Sequence, residues 1–320
     1  MILIISSLND GHAVEVSNRL GNLGAEHRLL DLSRFPQKAD LGIEFGAGGK
    51  FLEIVDGGDT IDLSRCGVVW WRRPQPFALH DEITATLDRN FAYTEWQAAL
   101  SGLWLSLDAF WMNHPTREDE ASRKVHQLHL AREIGLRIPD TCVTSSPSRA
   151  AHFIEKFGGG NVIYKAFSGT EEEWRETRRL KDSEVALIDS VRFAPVIFQE
   201  YIPGGVDLRI TVIGDQFFTG AIYSEDTSYN VDFRMVMDEV RMESFDLPGE
   251  IKFRLLELMG RLGLCYGAID MRLDPEGEFV FLEINPSGQW LFVEYGTGLP
   301  ISDALARFLI QNDRDASLPG

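Results

Sequence analysis

Cysteine is scarce in this chain of 320 residues: Cys66, Cys142 and Cys265 are widely spaced and odd in number. That excludes a disulfide framework and fits reduced thiols in a cytoplasm. None of the three lies in a motif that would make it a nucleophile. Basic residues are also few, 31 Lys and Arg against 49 Asp and Glu, for a formal net charge of −18. A phosphate backbone or an anionic membrane surface would repel such a chain, so neither nucleic acid nor membrane is an expected partner. No apolar run is long enough to cross a bilayer. Met1-Ile2-Leu3-Ile4-Ile5 stops at Ser6 without a basic flank, and reads as a buried strand rather than a signal peptide. Two phosphate-binding glycine signatures are missing as well. The Gly11 region has no Gly-x-Gly-x-x-Gly, and Gly158-Gly159-Gly160 is not followed by Gly-Lys-Ser/Thr.

What is present suits a multidomain α/β enzyme. With 44% hydrophobic residues the chain exceeds one compact core, and two or three domains are expected. A strand at 2–5, a helix over 11–23 and a strand at 27–32 make a Rossmann-type opening. Alternation over 42–55, broken by glycines at 46–49, predicts a hairpin, and Val68-Val69-Trp70-Trp71 a further buried strand. Helical spacing of apolar residues from 81 to 109 predicts one long or two shorter helices, with the tryptophans in the core. Phe110–Asn113 closes this first α/β domain, residues 1–113. A second unit, 114–202, begins with an acid-rich helix running to Leu136, which carries Lys124. Strands then follow at 141–144, 162–165, 176–187 and 195–200. The third unit is 203–320.

The densest chemistry lies in that third unit. Gly267-Ala268-Ile269-Asp270-Met271-Arg272 and Phe281-Leu282-Glu283-Ile284-Asn285-Pro286 flank an Asp-Pro-Glu-Gly turn at 274–277. Alternate residues of a strand share a face, so Glu283 and Asn285 point the same way and the turn folds Asp270 beside them. Two carboxylates and an amide oxygen suit a hard cation that keeps some waters and bridges phosphates, which makes this a candidate magnesium–nucleotide site. A solvated hairpin is the plain alternative. The apolar flanks argue against it, because a buried carboxylate must find a cation or another partner.

Lys124, then Lys165 on a strand, Gln199-Glu200-Tyr201-Ile202 as a hinge, Asp207-x-Arg209, and finally Asp270…Glu283-x-Asn285 resemble the ordered signature of ATP-grasp carboxylate–amine ligases. The resemblance covers nearly the whole chain and implies an ATP-grasp fold behind a Rossmann-like pre-ATP-grasp domain, with ATP and Mg²⁺ as cofactors. The hinge backbone Glu200-Tyr201-Ile202 suits adenine, and Asp207 the ribose hydroxyls. Lys124 and Lys165 suit the phosphates, approached from opposite sides. Asp270, Glu283 and Asn285 hold the metal. Arg209 and Arg234, with Arg272 as a weaker candidate, suit a transferring phosphoryl group and then an oxyanion.

Within that superfamily, Trp70-Trp71-Arg72-Arg73-Pro74, Asp232-Phe233-Arg234 before Leu247-Pro248, and Asn285-Pro286-Ser287-Gly288-Gln289-Trp290 running to Glu294 resemble the microviridin-type peptide maturases, the graspetide synthetases. The resemblance implies ATP-dependent macrocyclisation of a ribosomal precursor peptide with a leader segment. Asp or Glu side chains would be activated as acyl phosphates and attacked by a Ser/Thr hydroxyl or a Lys amine, and the enzyme would work as a homodimer. Glu294, Asp232 or a substrate carboxylate are alternative general bases. Phe167–Arg175 lacks the glycine-rich lid common in such ligases; its glutamates 171–173 beside Trp174 suit a basic leader helix. A ligase joining a free amino acid to an amino acid or a protein C-terminus would share the whole nucleotide site.

Overall fold

In the computed structural model, residues 1–47, 49–167, 178–223 and 240–316 are described. The apolar run at the N-terminus forms β1 (Ile2–Ile5), and α1 (Gly11–Asn22) follows, capped by the Asp10 side chain, which accepts from the amides of His12 and Ala13. After β2 (His27–Leu30) comes an antiparallel sheet of β3 (Ala39–Gly46), β4 (Gly49–Asp56) and β5 (Asp59–Asp62). The predicted hairpin is thus there, with a third strand added. β6 (Val68–Trp71), the single helix α2 (Thr86–Ser106) and β7 (Phe110–Met112) complete the region. The main sheet runs β2-β1-β6-β7, all parallel, as a Rossmann-like domain requires. Both faces of β1 are covered: Ile2 and Ile4 pack toward α1, Leu3 and Ile5 toward α2 and the small sheet.

The helix expected to run unbroken to Leu136 is instead two, α3 (Pro115–Ala121) and α4 (Lys124–Glu133). Ser122 donates its hydroxyl to the Asp119 carbonyl and Arg123 turns extended, which interrupts the ladder. Then come β8 (Thr141–Thr144), α5 (Pro147–Phe157), β9 (Val162–Lys165), β10 (Arg178–Arg179), α6 (Asp182–Val185) and β11 (Val196–Glu200), whose strands form an antiparallel sheet β10-β9-β11-β8. Of the strand expected over 176–187 only β10 exists among the described residues. The Glu184 carboxylate returns to accept from the Lys181 amide, and that cap starts a helical turn where a strand was expected.

A five-stranded antiparallel sheet follows, ordered β14-β13-β12-β15-β16, from β12 (Val206–Ile213), β13 (Gln216–Tyr223), β14 (Arg241–Ser244), β15 (Tyr266–Leu273) and β16 (Phe279–Asn285), with α7 (Gly249–Leu262) between β14 and β15. One face, with Leu208, Ile210, Ile269 and Met271, packs on α4 and α7. The other carries Asp207, Arg209, Asp270 and Arg272. α8 (Leu291–Thr297) lies on this second side, and α9 (Ile301–Ala316) returns to the first sheet, where Ile301, Leu305 and Leu309 join Ile2, Ile4 and Val16 in one core. The end of the segment drawn from 203 to 320 therefore completes the core of the N-terminal domain. Among the described residues no helix is long and apolar enough to cross a membrane.

Leu305 is fully buried in this shared core. Leu305→Ala should lower stability by about 2–5 kcal/mol, read as a shift of the urea midpoint followed by tryptophan fluorescence.

Candidate active site

The residues expected to hold a metal are aimed by a bulge. Asp270 pairs directly with Glu283 across β15 and β16, and the register slips between Asp270 and Met271, so that Met271 opposes Phe281 and Leu282 is the extra residue. In a regular strand Phe281 and Glu283 would share a face. The bulge reverses the phase, so that Phe281 and Ile284 both enter the core while Glu283 and Asn285 turn to the Asp270 side. Each carboxylate has a cation in place. Arg209, directly across from Asp270 on β12, donates from Nη1 to Asp270 Oδ1 at 2.8 Å, and Lys124, first residue of α4, donates to Glu283 Oε2 at 2.6 Å. Asn285 Oδ1 accepts from the Ser287 amide at 3.1 Å. Among the described residues no group of three or more His, Cys, Asp and Glu side chains is arranged to hold a metal.

The loop that follows, Pro286–Trp290, is held mainly by the N-terminal domain. Arg72, with no exposed surface, donates from Nη1 to the carbonyls of Ser287 and Gly288 at 3.1 and 3.2 Å, and its guanidinium lies 4.8 Å from the Trp290 ring centroid and 3.1 Å from Asp10. Arg73, whose φ of 45° is left-handed, adds a bond from Nε to the Ser287 carbonyl. Asn113 Nδ2 reaches the carbonyls of Pro286 and Tyr266, and the Tyr266 hydroxyl donates to the Gly288 carbonyl. Arg209 Nη2 takes the Gln289 carbonyl. Gly288 is obligatory in this packing: a Cβ there would lie 2.2 Å from the Ala268 Cβ and 3.2 Å from the Asn285 carbonyl oxygen. His12 stands edge-on to Trp290 with centroids 4.4 Å apart, and burial together with Arg72 lowers it to about 3, so it stays neutral.

On the hinge side the Gln199 side chain is buried and donates to Thr141 Oγ1. The amides of Glu200 and Tyr201 donate to the carbonyls of Asp140 and Asn161, and the Glu200 carboxylate turns back to the Asp140 amide. Tyr201 and Ile202 are buried, and Lys165 on β9 faces Ile197 of β11 in register. Arg272 shares the Asp270 face, but its guanidinium serves the hinge, with Nε on the Gly204 carbonyl at 2.8 Å and Nη1 on Asp207 Oδ1 at 3.3 Å. This geometry makes it a strut between hinge and sheet. Glu294 is likewise engaged, since its Oε2 accepts from both the amide and the hydroxyl of Ser302 at the start of α9. Arg234, Asp232 and the acidic loop 171–175 lie outside the described residues.

Sequence reasoning missed Asn113, Glu118, Tyr266 and Ser287 as site residues. Glu118 on α3 accepts the Ser287 hydroxyl at 2.6 Å. An acid-rich helix start gives no hint that one of its acids is enclosed. The only available signal was the Asn-Pro-Ser-Gly loop itself. Cys66 and Cys265 are inert, their thiols pushed up to about 12 by burial.

Residues 1–119 match the MvdD pre-ATP grasp domain, and residues 121–309 the RimK-like ATP-grasp domain. The chain belongs to the ATP-grasp family. This ATP-grasp ligase is similar to the macrocyclase MdnC of Microcystis aeruginosa, solved with the precursor peptide MdnA, at 30% identity and a TM-score of 0.86, covering 97% of this chain and 99% of that one. It is also similar to a RiPP-associated ATP-grasp ligase of Chryseobacterium gregarium solved with ADP and a leader and core peptide, at 28% identity and a TM-score of 0.88, covering 99% and 97%. A probable alpha-L-glutamate ligase of Citrobacter koseri is 25% identical over 211 residues, 63% of this ligase and 68% of that protein. One from Vibrio cholerae aligns over 63% of its own length.

Burial pushes the Glu118 carboxyl up to about 7, against the opposing pull of the Ser287 bond, of the Asn113 side chain and of Arg72 and Arg73. The folded chain then holds this proton more tightly than the unfolded chain does. Relative to Glu118→Gln, wild-type stability should fall as pH rises from about 4.5 to about 7 and stay level above that, a trend that urea midpoints across the range would reveal.

Proposed function

We propose that this ligase closes ester or amide crosslinks between side chains of a ribosomally made precursor peptide, using ATP. The observation that carries this reading is the full-length likeness to a peptide-bound macrocyclase, 97% of this chain, whereas the glutamate ligase of Citrobacter koseri matches 63% of it. The donor set fits magnesium: two carboxylates and an amide oxygen converge on one sheet face, and each carboxylate is already balanced by a cation. Asp270, Glu283 and Asn285 would hold the ion. Bound there, magnesium supplies charge neutralisation at the nucleotide phosphates.

For adenine, the donors of Glu200 and Tyr201 are already used, so the hinge donor in this reading is the Ile202 amide, with carbonyls of the same segment as acceptors. Asp207, steadied by Arg272, faces the ribose, and Lys124 and Lys165 face the phosphates. The γ-phosphoryl group passes from ATP to a carboxylate oxygen of an Asp or Glu in the peptide, and ADP leaves. A Ser/Thr hydroxyl or Lys amine then attacks the acyl carbon, its proton goes to a base, and phosphate departs with the former carboxylate oxygen. Each crosslink costs the peptide one water. Arg209, with Arg234, stabilises the phosphoryl and oxyanion charges. With Glu294 engaged at α9, Asp232 and a substrate carboxylate are the remaining bases.

The leader segment, dimerisation, a cytoplasmic location and the units 1–113, 114–202 and 203–320 belong to the same proposal. The exposed apolar stripe Leu87, Phe91 and Leu105 on α2 supports a second copy as partner. The three cysteines, all free, suit a reducing compartment.

Incubation of the protein with ATP, magnesium and a peptide encoded beside its gene that is rich in Thr or Lys and Asp/Glu should remove one or more waters from the peptide, with matching ADP. Asp270→Ala and Glu283→Ala should each abolish the loss, measured by intact mass. A gain of mass by addition of glutamate to a protein C-terminus, with the peptide unchanged, would establish the glutamate-ligase reading instead.

A further inference from the structure

We propose that Glu118 is a positioning residue for Asn285, acting through Ser287; this rests on the reading of Asp270, Glu283 and Asn285 as the magnesium set. The chain of contacts is short and directional. Glu118 Oε2 accepts the Ser287 hydroxyl at 2.6 Å, the Ser287 amide donates to Asn285 Oδ1 at 3.1 Å, and the Gly288 amide donates to the Asn285 carbonyl at 3.2 Å. An amide oxygen has two lone pairs. With one engaged by the Ser287 amide, the rotation of the side chain is set and the second is left to face a cation.

Ser287 is clamped at three atoms: its carbonyl by Arg72 and Arg73, its hydroxyl by Glu118 and its amide by Asn285. Arg72 and Arg73 come from the end of β6, Glu118 from α3, and the ligand from β16, so separate elements converge on one residue. The other Glu118 oxygen, Oε1, is buried without a hydrogen-bond partner among the described residues. An enclosed carboxylate oxygen left this way costs stability. The carboxyl also offsets the charge of the buried Arg72 and of Arg73, so Glu118→Ala should alter stability too, and metal affinity is the property that isolates its effect on Asn285. Its short bond to Ser287 gives it a role, since removing a group that orients a metal ligand typically costs about tenfold or more in metal affinity.

The test is calorimetric titration of Mg²⁺ into the full-length protein saturated with ADP, with ADP affinity in EDTA measured in parallel. Glu118→Ala and Ser287→Ala should each weaken Mg²⁺ binding about tenfold, while metal-free ADP binding is unchanged. The double variant should be no worse than either single one, because both remove the same chain of bonds. Glu118→Gln, which keeps an acceptor for the hydroxyl, should restore affinity close to wild type. Unchanged Mg²⁺ affinity in the single variants, additive losses in the double, a Gln variant as weak as the Ala one, or a parallel loss of metal-free ADP binding would each overturn the assignment. Asp270→Asn separates the two readings: if it leaves Mg²⁺ affinity intact, the metal set itself is wrong, and if it weakens binding while Glu118→Ala does not, only the role of Glu118 fails.

Discussion

The buried guanidinium of Arg72 is the contact on which the rest of the site depends. Removing a cation from water is expensive unless its donors and charge are met. Here Asp10 supplies charge, the Ser287 and Gly288 carbonyls accept from Nη1, and the Trp290 face adds a cation–π contact, while Nε and Nη2 find no hydrogen-bond acceptor among the described residues. Because Arg72 follows β6 of the Rossmann-like sheet directly and its acceptors follow β16, the N-terminal domain sets the position of the loop beside Asp270, Glu283 and Asn285. α9 reinforces the union from the other direction, packing the last helix of the chain on the first strand. The pre-ATP-grasp domain is thus a structural part of the active site.

That constraint complements the bulge at Leu282. The bulge turns Glu283 and Asn285 toward Asp270, and the clamped loop limits how far Asn285 can move. Asp270 and Glu283 each hold a cation, Arg209 and Lys124, which keeps the two acids from repelling one another across the β15–β16 pair. In the proposed reading, an ion held by Asp270, Glu283 and Asn285 would compete with Arg209 and Lys124 for the two carboxylates. Arg272 differs although it shares the strand face, because its donors are committed to Gly204 and Asp207 at the hinge.

The parts of the fold that were legible in the sequence have a local cause. The first parallel strands read as short apolar runs between turns, the β3–β4 hairpin as alternation around glycines, and the β15–β16 hairpin as two apolar strands around an Asp-Pro-Glu-Gly turn, whereas the pairing of Asp270 with Glu283 depends on the bulge at Leu282. Misread elements were those in which a side chain competes with the backbone. Ser122 interrupts a helix that apolar spacing predicted as continuous, and Glu184 caps a turn where a strand was expected. Sequence pattern records which residues are apolar, and is nearly blind to which hydroxyl or carboxylate takes a backbone bond.

Through the resemblance they carry, the order and spacing of Lys124, Lys165, the 199–202 hinge, Asp207, Arg209, Asp270, Glu283 and Asn285 were enough to give the ATP-grasp architecture, although Lys124 meets Glu283 and Arg209 meets Asp270 only across 159 and 61 positions of chain. The struts were decided only by tertiary structure. Arg72, Asn113 and Glu118 act on residues that lie 215, 153 and 169 positions away, and nothing local distinguishes Glu118 from the solvated acids beside it. A charged residue in a polar helix end has the same sequence signature whether water or a half-buried serine is its partner, and the packing of one domain against another settles which it is.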